Sequence, residues 1–232
     1  MSKYQHIQEE AYKANMKLTK LGLVLFTFGN VSAADRDLGV FAIKPSGVPY
    51  DELTPRKMVI VDFDAIVVKG KLKPSSDTKT HAVLYKHWER IGGIAHTHST
   101  YATAWAQSQR DIPIFGTTHA DHTTYDIPCA APMSDEIIQR DYEHETGLQI
   151  INCLQQKNLN YEEVEMMLVS NHAPFTWGET AQKAVYNSAV LENIAHLSFL
   201  TELLNPQAGR LKNALIKKHY KRKHGSDSYY GQ

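Results

Sequence analysis

The sequence predicts a layered α/β fold with a mixed sheet, on three observations. Apolar segments of strand length and amphipathic segments of helix length are mixed along all 232 residues, the pattern of a sheet covered by helices. MVIVD and AIVVKG, parted at Phe63-Asp64, read as a hairpin, so the sheet cannot be purely parallel. No repeat, linker or low-complexity stretch divides the chain, and one domain over residues 1–232 is expected.

The elements follow in order. Residues 3–21 place Ile7, Ala11, Ala14 and Leu18 on one helical face, with Gly22 as a stop. LVLFTF (23–28) and VFAI (40–43) read as strands, each running into a turn of small polar residues, Gly29-Asn30 and KPSG. After the hairpin, PSSD (74–77) is a helix-start sequence for a helix through Arg90. IGGIAHTH returns as a strand, TYATAWAQSQ as a short helix, and Ile114–Ile127 as an extended region. Ser134 is expected to cap a helix running to about Lys157. MMLVSNHAPF reads as a strand breaking at Asn171–Pro174, residues 179–204 as a long amphipathic helix and 207–222 as a last one, before the tail HGSDSYYGQ.

Composition excludes several classes. Hydrophobic residues at 42% and charged residues at 22% match an ordinary globular chain, and a formal net charge of zero argues against a general nucleic-acid binder. No run has the length of a membrane span or the layout of a targeting signal. Cys129 and Cys153 are expected to be reduced thiols in a cytosol.

The chemistry centres on GGIAHTHST. In a strand, His96 and His98 point to one face roughly 6.6–6.8 Å apart along the chain, so they form either half of a metal site or a half-buried polar pair. His172 sits at another strand end, and Asp77 adds a carboxylate at a helix start. His81, four residues after Asp77, competes as a ligand but reads more simply as a helix-surface histidine. His6, His87, His144, His196 and His224 receive no role. The turns Gly29-Asn30, Ser46-Gly47 and Ser75-Ser76, with Lys44 beside them, suit a phosphate. Asp121 is open between an acid/base group, a partner of a histidine and a loop carboxylate. KKHYKRKH (217–224) reads as a solvated helix face with cations to spare.

Together, FGNVSAAD, IKPSGV, PSSDT, GGIAHTHS, GTTHAD, SNHAPFTWG and KHYKRKHGSDSYYGQ resemble the class II aldolase family along essentially the whole chain. Within it they resemble the branch that epimerises a pentulose 5-phosphate. The resemblance implies a three-layer α/β/α fold with a central mixed, mostly antiparallel sheet. It also implies a cytoplasmic homotetramer with active sites at subunit interfaces, and a sugar phosphate as substrate. One Zn2+ per subunit would be bound by His96, His98 and His172, with Asp77 as a further ligand until substrate displaces it. Gly29, Asn30, Lys44, Ser46, Gly47, Ser75 and Ser76 would hold the substrate and its phosphate. Asp121 and Tyr230 would be the acid/base pair, reaching in from the neighbouring subunit, so that the tail 223–232 contributes to the active site. Thr117, Glu143, His219 and Arg222 are further candidates for that pocket. The reaction implied is retro-aldol cleavage of a C3–C4 bond and its re-formation on the other face, with zinc as Lewis acid. Two relatives compete. Sugar-phosphate aldolases of the fuculose or rhamnulose type carry a Glu near position 77, where this chain has Asp; the adducin head, an interaction module, lacks the zinc histidines. L-arabinose and L-ascorbate catabolism are both compatible settings, and no residue separates them.

Overall fold

The computed structural model describes residues 2–225 and residue 228. In chain order its elements are α1 (Gln5–Lys20), β1 (Asn30–Asp35), β2 (Val40–Ile43), β3 (Val59–Asp62), β4 (Val67–Lys69), α2 (Thr78–His87), β5 (Gly93–His96) and α3 (Thr100–Gln107). There follow α4 (Thr117–Ala120), β6 (Cys129–Ala130), α5 (Asp135–Ile138), α6 (Tyr142–Gln156), α7 (Tyr161–Val164), β7 (Met166–Val169), β8 (Pro174–Gly178), α8 (Ala181–Leu204) and α9 (Asn213–His224).

The strands form one eight-stranded sheet in the order β4-β3-β2-β1-β5-β8-β7-β6, antiparallel at every step except the parallel β6–β7 pair. Side chains alternate across it, as strand geometry requires. Phe41, Ile43, Val59, Val61, Phe175 and Trp177 pack on one face with α2 and α6. Val40, Ala42, Ile60 and Ala95 pack on the other with α1 and the start of α8, while α3 and the middle of α8 cover Met166 and Leu168. The result is the mixed, mostly antiparallel three-layer α/β/α fold expected. The one-sided apolar face of α1 is buried as its periodicity predicts, and Asn15 on that face ties the helix to the sheet by accepting from the Val31 N–H and donating to the Val31 carbonyl, 2.9 and 2.8 Å. No helix among the described residues is long and apolar enough to cross a membrane.

Four local readings change. LVLFTF is not a strand: Leu25, Phe26 and Phe28 are exposed, Phe26 has φ +51°, and the Phe28 N–H closes a turn on the Leu25 carbonyl at 2.9 Å. The strand is instead NVSAAD, whose Asn30 side-chain amide N–H and Ser32 hydroxyl bond to partners far away in sequence, Asp77 and His81. Ile114–Ile127 is not extended throughout: Ile127 bridges to Ile112, just before the segment, and Thr117–Ala120 turns helical within it. The helix expected from Ser134 breaks into α5 and α6 at residues 139–141. The last helix, expected from residue 207, begins only at Asn213, whereas MMLVSNHAPF breaks where expected, into two antiparallel strands with Asn171 at φ +58° in the turn and the His172 N–H bonded to the Val169 carbonyl.

The three central strands decide where the site lies. In the ladders, Asn30 faces His96 across β1–β5, and His96 faces Phe175 across β5–β8. The start of β1, the end of β5 and the start of β8 therefore meet at one end of the sheet. At the opposite end of β5, Gly92 and Gly93 let α8 begin against the strand: a Cβ on Gly93 would lie 2.3 Å from the Ala181 Cα.

Candidate metal centre and anion cradle

His96 is the last residue of β5 and is buried at 2% exposure. Its Nδ1 lies 3.0 Å from the Pro174 carbonyl, which can only accept, so the ring proton sits there and the Nε2 lone pair faces outward. Phe175 stacks on the same ring at 4.2 Å between centroids and fixes its plane. His98 follows in the loop before α3, whose N-terminal Tyr101 and Ala102 N–H groups are both capped by Glu192 of α8 at 2.9 Å. His172 comes from the tight β7–β8 turn.

One ligating nitrogen from each of the three histidines lies within 4.8 Å of the others, and His96 Nε2 and His98 Nε2 are 3.2 Å apart. Two nitrogens on a tetrahedral ion at about 2.0–2.1 Å would be separated by roughly 3.3 Å, so this donor set fits a zinc-sized cation. Burial, followed by the neighbouring His96, holds the His98 and His172 imidazoles below their ordinary pKa, which keeps them neutral as ligands must be.

Asp77 lines the same pocket without belonging to that cluster. Its carboxylate accepts from Asn30 Nδ2 at 2.6 Å and from the Ser75 hydroxyl at 3.4 Å. Burial alone would raise this carboxyl; the pull of His96, His81 and His172 and the Asn30 bond outweigh it and hold it below the usual range.

The pocket has a volume of about 340 Å³ and is lined by Gly29, Asn30, Lys44, Ser46, Gly47, Ser75, Ser76 and Asp77 together with the three histidines. Three turns distant in sequence are thus brought together. The Ser46 turn and the Ser75 turn are zipped side by side, Ser46 N–H to the Lys73 carbonyl at 2.9 Å and Ser75 N–H to the Lys44 carbonyl at 3.0 Å. Gly29 has φ +74°, and a Cβ there would lie 2.8 Å from Val24 and 2.9 Å from the His96 carbonyl. Lys44 is 2% exposed, and burial pushes its pKa down to about 8. No carboxylate lies within ion-pair distance of it among the described residues; its Nζ donates only to the carbonyls of Thr27 and Pro45, at 3.3 and 3.4 Å. A buried cation with only neutral acceptors around it is matched to an incoming anion.

The remaining candidates lie elsewhere in the chain. Asp121, at the end of α4, accepts from Arg222 at 2.9 and 3.1 Å and pairs with His219 Nδ1 at 3.0 Å, both on α9. Burial would raise the Asp121 carboxyl, but these two partners outweigh it and hold it below the ordinary carboxylate range. Thr117 opens α4, and Glu143 stands in the first turn of α6, its carbonyl accepting from the Thr80 hydroxyl at 2.6 Å. None of Thr117, Asp121, Glu143, His219 or Arg222 lines the trihistidine pocket of its own chain. Tyr230 lies outside the described residues.

The sequence misplaced His81 and did not point to Tyr142 or Tyr50. His81 is not on a helix surface but wholly buried: Ser32 of β1 bridges His81 Nδ1 and the Tyr85 hydroxyl, each at 2.7 Å. Its spacing of four from Asp77 was the available signal. Tyr142 places its hydroxyl 3.5 Å from His172 Nδ1, and Tyr50 backs the pocket wall with hydrogen bonds to Phe28 and Gly29. Neither follows from local pattern.

The fold has known counterparts. Residues 9–199 match the family described as the class II aldolase and adducin N-terminal domain. The structure is similar to an L-fuculose 1-phosphate aldolase at TM-score 0.77 and 23% identity, covering 96% of this chain and 97% of the other. It is similar to YgbL, a putative aldolase/epimerase/decarboxylase from Escherichia coli, at TM-score 0.73 and 23% identity, covering 94% and 100%. The L-fuculose-1-phosphate aldolase from Thermus thermophilus matches at TM-score 0.67 and 21% identity, covering 88% and 98%. A family match over most of the chain, on a fold that carries three clustered histidines at the sheet's end, leads to one conclusion: the chain belongs to the class II aldolase and adducin N-terminal domain family.

Proposed function

We propose that the protein is a zinc-dependent 4-epimerase interconverting L-ribulose 5-phosphate and D-xylulose 5-phosphate by breaking and remaking the C3–C4 bond. The observation that carries this reading is Asp77, a short carboxylate tethered by Asn30 beside the three histidines. At that position the resemblance assigns the aldolases a longer Glu able to exchange protons with substrate.

Carbon 4 carries a hydroxyl and no acidic C–H, so its inversion calls for cleavage rather than deprotonation. His96, His98 and His172 would hold zinc, with Asp77 beside them, and the bound ion supplies Lewis acidity at the C2 carbonyl. Lys44, with the Gly29-Asn30, Ser46-Gly47 and Ser75-Ser76 turns, retains the phosphate so that the aldehyde half rotates without leaving. Asp121 and Tyr230 of a neighbouring subunit remove the C4 hydroxyl proton and return one on the opposite face. The Asp121 carboxylate, pinned by Arg222 and His219 and outside its own chain's pocket, supports such a role in another copy. On this reading the domain spans residues 1–232 and works as a cyclic homotetramer, its tail 223–232 closing the neighbour's site.

A second reading, a sugar-phosphate aldolase, is favoured by the fold match to L-fuculose 1-phosphate aldolase. Incubation with L-ribulose 5-phosphate decides between them. D-xylulose 5-phosphate without free glycolaldehyde phosphate is the expected outcome; free aldehyde as the main product would establish the aldolase instead.

A further inference from the structure

We infer that Tyr50, which does not itself line the pocket, is a positioning residue that shapes the wall and the charge of the anion cradle. The inference rests on the phosphate reading above. The wall formed by Thr27, Phe28 and Gly29 belongs to no helix or strand, so its shape must be set by side chains packed behind it. Tyr50 stands behind it, buried in the one-turn 3-10 helix Tyr50–Glu52. Its hydroxyl proton is shared between the carbonyls of Phe28, at 3.2 Å, and Gly29, at 3.0 Å.

Those two bonds orient the backbone beyond the atoms they touch. A trans peptide is planar with its N–H opposite its C=O, and no peptide among the described residues is cis. Drawing the Phe28 carbonyl toward Tyr50 therefore turns the Gly29 N–H to the other side, while the bond to the Gly29 carbonyl fixes the next peptide, whose Asn30 N–H belongs to the β1–β5 ladder opposite His96. Among the described residues the Gly29 N–H donates to no protein acceptor, and Gly29 lines the pocket.

The same ring also carries the Lys44 ammonium, 4.8 Å from its centroid. An aromatic face attracts a cation without supplying a formal charge that would neutralise it. A carboxylate in this place would hold Lys44 more tightly but would compete with an incoming phosphate. One tyrosine thus presents the Gly29 N–H through its hydroxyl and keeps the lysine charge available through its ring.

The two contributions separate in two variants of the full chain. Ethyl phosphate, which has no second hydroxyl with which to chelate a metal, is titrated calorimetrically at neutral pH. Tyr50→Phe keeps the ring and should weaken binding about 2- to 13-fold, the worth of one neutral hydrogen bond. Tyr50→Leu should weaken it further. In both, KM for the sugar phosphate should rise more than kcat falls, with bound metal at the wild-type ratio. Tyr50→Phe binding ethyl phosphate as tightly as the wild type would overturn the inference and leave the phosphate reading standing. Loss of metal together with an equal loss of kcat would also overturn it, by showing a merely structural role. Wild-type protein that fails to bind ethyl phosphate would overturn the phosphate reading itself, and the inference with it.

Discussion

Raising the pH should release a phosphate monoester from the pocket, and the buried Lys44 sets how steeply. Its ammonium meets only a π face and two carbonyls, and burial lowers its pKa to about 8 from 10.5. The sign follows from the charged form being the binding form. A bound dianion stabilises the ammonium, so affinity is full while free Lys44 is protonated and is lost as pH rises through about 8. The ligand does not titrate in this window, because a phosphate monoester has lost its second proton by about pH 6. If only the protonated lysine binds, the apparent Kd scales as 1 + 10^(pH − pKa), which makes binding about tenfold weaker at about pH 9 than at about pH 7. Calorimetric titration of ethyl phosphate into metal-free protein across that range measures the step without interference from a metal-bound ligand. Lys44→Met should abolish the pH dependence and weaken binding about 10- to 150-fold, the equivalent of a charge-assisted hydrogen bond worth about 1.5–3 kcal/mol. A wild-type Kd that stays flat to about pH 9.5, or a Lys44→Met protein that keeps the step, would refute the reasoning.

Four further substitutions address other parts of the site. His98→Asn removes one nitrogen of the trihistidine cluster, so metal content and turnover should fall together; elemental analysis showing wild-type metal would reject His98 as a ligand. Gly29→Ala forces a Cβ to within 2.8 Å of Val24 and 2.9 Å of the His96 carbonyl at φ +74°, and should cost about 1–3 kcal/mol, read as a lowered melting temperature; an unchanged melt would show that the turn relaxes freely. Asp121→Asn and Tyr230→Phe should each keep bound metal while lowering turnover about 10²- to 10⁴-fold, the range of a lost acid/base group. Full activity in either variant removes that residue from the mechanism.

How much of this was legible in the sequence depended on how local each signal is. Helix α1 was, because a one-sided apolar repeat reports burial directly. LVLFTF misled because an apolar run carries no information on whether other elements cover it, and Leu25, Phe26 and Phe28 stay exposed. Strand β1 was missed for the converse reason. Its Asn30 and Ser32 look like turn residues until Asp77 and His81, 47 and 49 positions away, bond to their side chains. His81 was misplaced by the same ignorance of partners.

The residue types that do chemistry, the turns that surround them and the layered α/β class are written in local patterns of charge, size and periodicity. The chain's own order could therefore supply His96, His98, His172, Asp77 and Lys44 as candidates. Their convergence is a different kind of fact. It follows from the β1-β5-β8 order at the centre of the sheet, which brings two strand beginnings and one strand end to a single edge. The fold also separated what the sequence could not. It joined Asp121 to Arg222 across 101 residues and away from the chain's own pocket, and it set Tyr50 behind the wall that Gly29 presents. Such long-range pairings are set by which surfaces bury one another, and no short stretch of sequence encodes them.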